Sequence, residues 1–182
     1  KGTIVAIVAG TKSETVINHL QRISSYKRNQ VIEITLDMAN IMKLISRKVF
    51  PKAKQVTDRF HVQKLALEAV QEIRIKLKWE ALDRENEAIT QAKLNKTKFI
   101  TTDFSNGDTA KQLLTRSRFL LYKSQYKWSE NQKERAVILF KEYPELKEAY
   151  LLSQQLRNIY NNNTDKAIAI TKLAHWYNNV EN

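Results

Sequence analysis

The sequence predicts a small α/β part followed by a longer all-helical part, and three observations carry that expectation. Apolar and β-branched runs of strand length fall only in the first third of the chain, at TIVAIVA (residues 3–9), VIEITL (31–36) and QVT (55–57). Between and after them, apolar residues recur at intervals of three and four, the period of an amphipathic helix. Only three Gly and two Pro interrupt the 182 residues, so turns are few and helices should be long.

Residues 3–9 read as a strand covered on both faces, because the apolar run is continuous rather than alternating. Gly10 and Thr11 turn the chain, and Ser13 is placed to cap a helix over 14–25. Val16, Ile17, Leu20 and Ile23 of that helix would face the sheet, with His19, Gln21 and Arg22 outward. After the polar stretch SSYKRNQ, the strand over 31–36 ends at Asp37. Strand, helix and strand in succession make a βαβ unit with parallel strands and a right-handed crossover. A basic amphipathic helix over 38–49 follows, with Ile41, Leu44, Ile45 and Val49 on its apolar side and Lys43, Arg47 and Lys48 outward. Pro51 stops it, and a third strand over 55–57 runs into Asp58.

From His61, the stripe Val62, Leu65, Ala66, Ala69, Val70, Ile73 and Leu77 predicts a helix to Trp79, and the pattern continues through ALDRENEAITQAKL. That length exceeds an ordinary globular helix and suggests a strut. NKTKFITTDFSNGD (95–108) is polar and holds one of the glycines, which reads as a loop and a subdomain boundary. Helices are then expected over 109–126 with Leu113, Leu114, Phe119, Leu120 and Tyr122, from Ser129 and Glu130 through Phe140, and from Pro144 through Ile159. Residues 161–163, all Asn, break the last of these, and Asp165 caps a final helix carrying Ile168, Ile170, Leu173 and Trp176.

Composition narrows the partner. Lys and Arg number 31 against 19 Asp and Glu, a net charge of +12, which suits a polyanion because neutralised phosphates release condensed counterions. Solubility alone is the bland reading of that charge, and an acidic lipid surface is a weaker one. With no Cys, the chain has no disulfide framework or thiolate metal site and suits a reducing cytosol. No apolar run approaches a membrane span. The opening Lys-Gly-Thr, without Met, reads as the start of an excised fragment.

Asp37 and Asp58 stand where strands hand over to helices, the place where open α/β sheets present working residues. Each has two readings: a ligand for a divalent metal, or a cap on the helix that follows. His61, three residues after Asp58, either pairs with it for proton transfer or locks strand to helix. Arg47, Lys48, Lys52, Lys54 and Arg59 flank both acids in sequence, and a carboxylate mouth rimmed by cations suits a phosphodiester substrate. Trp79, Trp128 and Trp176 either stack on bases or pack helices. His19 and His175 lack a partner at zinc-ligand spacing. P-loop, dinucleotide-binding and zincin motifs are missing.

The segment LDMANIMKLISRKVFPKAKQVTDRFHVQK resembles the central part of the catalytic domain in DDE transposases of bacterial insertion sequences, the ISL-three family. The likeness rests on Asp37, on Phe50, Pro51 and Ala53, and on the run Asp58, Arg59, Phe60, His61. It implies a ribonuclease H-like sheet of which this chain holds three strands in residues 1–79, with 80–182 as an all-helical insertion domain. Asp37 then takes the role of the second acid of the catalytic triad, and Asp58 with His61 a supporting role. No acid precedes Glu14 to match the first catalytic Asp, and the chain ends in NNVEN rather than the Glu-bearing motif that holds the third, so that role is not carried to Glu181.

The resemblance further implies metal-dependent DNA cleavage and strand transfer, with Mg²⁺ or Mn²⁺ as cofactor, in a homo-oligomeric complex at the bacterial nucleoid. A chain with one of three acids would be inactive alone. The alternatives are a non-catalytic basic helical module for DNA binding or assembly, in which Asp37 and Asp58 are only caps, and a related nuclease acting on RNA or hybrid.

Overall fold

The computed structural model describes residues 4–163 and 165–181. Packing divides the chain into two compact units, Lys1–Val62 and Gln63–Asn182.

The first unit contains helix α1 (Ser13–Leu20), the short helix α2 (Ser25–Arg28), strand β1 (Glu33–Leu36), helix α3 (Asn40–Val49) and strand β2 (Lys54–Thr57). The two strands pair in parallel, with Glu33 opposite Lys54 and Leu36 opposite Thr57. Helix α3 makes the crossover between them, so the βαβ unit is built from the second and third expected strands.

The expected first strand does not form. Residues 4–9 join no ladder, and Ile4, Val5 and Ile7 are exposed; Thr3 lies outside the described residues. A β-branched run becomes a strand only when a neighbour takes up its backbone groups, and among the described residues the sheet has two strands rather than three. The helix expected over 14–25 is also shorter. It starts at Ser13, with Lys12 rather than Ser13 at the cap position, and stops at Leu20. The following QRISS holds a β-branched residue and two hydroxyls that compete for backbone bonds, and Ser24 caps the new helix α2 by accepting from Lys27 N–H at 3.4 Å.

With so small a sheet, α1 packs chiefly on α3. Ile17 meets Ile45 and Val49, surrounded by Val16, Leu20, Met42 and Phe50, while Ile41 and Leu44 stay exposed. Arg28 ties this core down, donating from Nε to Ile23 O at 2.9 Å and from Nη1 to Val49 O at 2.7 Å. The second bond places a cation on the carboxyl end of α3, where the helix dipole favours it.

Helix α4 (Arg59–Leu94) is continuous over 36 residues, and the expected division at 79/80 falls inside it. In the second unit its Val70, Leu77 and Ala81 enter a core shared with α5 (Ala110–Arg116), α6 (Arg118–Tyr122), α7 (Glu130–Glu142) and α8 (Pro144–Asn162). The helix expected over 109–126 is thus two helices and a 3-10 turn at Gln125–Lys127. The break lies at Ser117, whose buried hydroxyl donates back to Leu113 O at 2.6 Å. Thr109 and Ser129 each form a capping box, with Gln112 and Gln132 as the reciprocal partners.

Side chains close α6. Trp128 Nε1 donates to Leu120 O, Arg157 to Tyr122 O and Tyr150 Oη to Lys123 O, at 2.8, 3.1 and 2.8 Å. Trp128 stacks on the fully buried Tyr150 at 5.5 Å, which gives that tryptophan a packing role. Burial pushes the Tyr150 hydroxyl up to about 12, against the opposing pull of Arg157.

The loop 95–108 ends in an anchored structure. Asp108 is fully buried; its carboxylate accepts from Arg116 and, at 3.0 Å, from Arg135 Nε. Burial alone would raise this carboxyl, but the two arginines outweigh it and hold it below the usual carboxylate range. Arg74 and Gln71, buried on α4, form a second polar link. Arg74 donates to Gln71 at 2.8 Å and to Leu114 O at 3.0 Å, and Gln71 donates to Arg118 O at 3.2 Å.

Helix α9 (Lys166–Glu181) follows Asp165, whose Oδ1 accepts from Ile168 N–H at 3.0 Å. It buries less than expected: Ile168 and Ile170 are exposed, while Ala169, Leu173 and Trp176 are half-buried. Phe119, expected on the apolar side of its helix, is exposed as well, and so is Trp79, for which packing was one of two readings.

Candidate functional site

The parallel register sets the site's geometry. Because Leu36 pairs with Thr57, the next residues, Asp37 and Asp58, emerge together at the carboxyl ends of adjacent strands. The ladder extends to them, since Asp58 N–H donates to Leu36 O at 2.7 Å. Both are half-buried. Each carboxylate also serves its own turn: Asp37 Oδ1 accepts from Ala39 N–H at 3.0 Å, and Asp58 Oδ1 from Phe60 N–H at 2.9 Å. The Asp58 bond caps α4; Asp37 makes the turn before α3, whose cap position is Ala39.

His61 joins the site through its backbone, with N–H donating to Asp58 O at 3.1 Å. Its ring meets Phe60 edge-on at 5.6 Å, and one oxygen of the Asp58 carboxylate, Oδ1, accepts from the Phe60 amide. Phe60 itself is exposed, two residues after Asp58. Phe60, which shares in the resemblance, stands between Asp58 and His61 in the DRFH run.

The basic residues divide between the two ends of the sheet. Arg47 and Lys48 lie in the last turn of α3, Lys52 in the following turn and Lys54 at the start of β2, all exposed. The crossover helix runs back from the acid end, so this group gathers towards the opposite end of the strands, where Lys54 stands four residues, about 13 Å at ~3.3 Å per residue, from Asp58 along β2. Arg59, immediately after Asp58, is the one residue of the set at the acid end.

Among the described residues no three His, Cys, Asp or Glu side chains converge on a point that would hold a metal ion. Asp37 and Asp58 offer two carboxylates at one strand end, fewer than a two-metal centre needs.

The match to known families decides the affiliation. A family model for DDE transposases of the ISL-three type, described as "Transposase", matches residues 1–182. The chain belongs to the ISL-three family of DDE transposases. No curated protein and no solved structure matches it. Transposases of this family act on DNA, and DDE transposases generally use divalent metal ions. The mostly helical chain with its small parallel sheet is compatible with the α/β-plus-helical expectation. No helix among the described residues is long and apolar enough to cross a membrane.

Proposed function

We propose that the chain supplies one carboxylate, Asp37, to the catalytic site of a DNA transposase that cleaves and joins strands with Mg²⁺ or Mn²⁺. The observation that carries this reading is the juxtaposition of Asp37 and Asp58 at the carboxyl ends of paired parallel strands in a member of a transposase family. In such a site the first duty of the protein is to hold acids and phosphates at fixed positions. A residue that leaves a hydrogen-bonded strand and turns at once through its own side chain is well held. Asp58, capped onto α4, and His61, bonded to it through the backbone, keep the neighbouring strand end in place.

Asp37 is then one member of a carboxylate set whose other members are not found beside it among the described residues. Residues 1–79 serve as part of a ribonuclease H-like core and 80–182 as a helical insertion domain. The chain alone is inactive, and the working enzyme is a homo-oligomer. Arg47, Lys48, Lys52 and Lys54 contact backbone phosphates away from the scissile bond, and Arg59 contacts those nearer to it.

The decisive assay is strand transfer, with the chain joined to whatever flanking sequence its gene encodes. Asp37→Asn should abolish transfer and leave DNA binding in place. Full activity in that variant would favour the second reading, a basic helical DNA-binding or assembly module. That reading is supported by the hydrogen bonds through which both acids serve their own turns.

A further inference from the structure

The second unit carries a cleft of a different character from the acid pair. Helices α8 and α9 run antiparallel: from Lys172 to Trp176 on α9, the partners step back from Asn163, just past the end of α8, to Leu152 within it. The open cleft between them has a volume of about 380 Å³. Its lining on α8 includes Gln155, Asn158 and Asn162, spaced three and four apart on one helical face. On α9, Lys172, Trp176 and Asn179 repeat the same spacing. A seam between two helices ordinarily takes apolar residues at these positions. Here Ile159 and Trp176 are the only apolar side chains, carboxamides predominate, and no carboxylate lines the wall.

Four of the five carboxamides are also unclaimed. Among the described residues no hydrogen bond engages the side chains of Gln155, Asn158, Asn162 or Asn179. Lys172, by contrast, donates to Asn163 Oδ1 at 2.7 Å, and Asn163 donates in turn to Ile159 O at 2.7 Å, which fixes the closed end of the seam. Trp176 is fixed too, with Nε1 donating to Leu152 O at 2.8 Å. The cleft therefore combines an anchored aromatic ring with side chains that each offer a donor and an acceptor. A phosphate site would want clustered cations, and here Lys172, tied to Asn163, is the one Lys or Arg of the lining, with His175 beside it. The edge of a nucleobase, which presents donors and acceptors side by side, matches carboxamides directly, and its face matches an indole.

We propose that the α8–α9 cleft receives a single unpaired nucleobase of the DNA substrate, with Asn158 and Asn162 reading its edge and Trp176 lying against its face. This rests on the reading of the chain as a DNA-acting protein and adds a site apart from the acid pair.

The test compares three short duplexes of one sequence at fixed salt: fully paired, carrying one extrahelical adenine, and carrying an abasic residue at that position. The chain is expected to bind the adenine duplex about tenfold more tightly than the abasic one, the scale of one stacked and hydrogen-bonded base. Asn158→Ala with Asn162→Ala, both exposed helical positions where Ala is well tolerated, is expected to bind these two duplexes alike. Binding of all three duplexes with equal affinity by the unmodified chain would overturn the cleft proposal alone. Binding of none would overturn the DNA reading and the cleft proposal with it.

Discussion

Asp108 and Tyr150 are single residues whose burial fixes how the second unit responds to pH. Asp108 has a lowered carboxyl in the folded state, so its contribution is present above the unfolded value of about 3.9 and is lost as pH falls through the folded one. Asp108→Asn should therefore destabilise the chain at neutral pH by about 2–4 kcal/mol, since Arg135 loses its buried partner, and by less once the pH has fallen far enough to protonate the folded-state carboxyl. Urea melts at the two pH values check this; equal losses at both would refute the ionic account. Tyr150 runs the other way. Its folded value lies at about 12, above the ordinary phenol, so stability is intact below pH ~10 and declines as pH rises towards the folded value. Tyr150→Phe should cost about 1 kcal/mol at neutral pH, from the lost bond to Lys123 O, and should blunt the alkaline decline. Ser46 is the converse case, a buried hydroxyl on α3 with no partner among the described residues. Ser46→Ala should be neutral or stabilising in a thermal melt.

Elements were legible in the sequence where a local signal decided them and obscure where a partner did. Pro144 at the first turn of α8, the Ser129 start of α7 and the Asp165 bond before α9 are all short-range chemistry, and each was readable from the residue types. Thr109→Ala tests one such signal and should cost about 1 kcal/mol through loss of the capping box, seen as a lower denaturation midpoint with an unchanged slope. Residues 4–9 show the opposite: a strand is a relation between two segments, and composition could not say whether a neighbour was present. The same limit applied to the site. Asp37 and Asp58 could be placed at strand ends, but their side-by-side register came from the pairing of Leu36 with Thr57. The migration of Arg47, Lys48, Lys52 and Lys54 to the far end followed from the direction of the crossover, which sequence proximity conceals. Buried Gln71 and Arg74 broke the apolar stripe of α4 for reasons visible only once Leu114 O and Arg118 O stood opposite them.

For the molecule as a whole, the net charge of +12 is the dominant property. DNA affinity should fall on the order of a hundredfold between about 50 and 200 mM salt if four phosphates are neutralised, a slope that filter binding or anisotropy measures directly. Affinity independent of salt would remove the electrostatic basis of the functional reading. The anchored end of the 95–108 loop, finally, bears on how the chain meets a protease. Lys96 and Lys98 are exposed and precede the anchor, so brief trypsin treatment should nick there. Arg116, although its side chain is more than half exposed, sits in a helix and is bonded to Asp108, which should keep the adjacent peptide out of the enzyme's cleft. The two pieces should then elute together, since Val70, Leu77 and Ala81 before the nick pack with Leu113, Leu139 and Leu146 after it. A cut in the backbone would leave the fold standing.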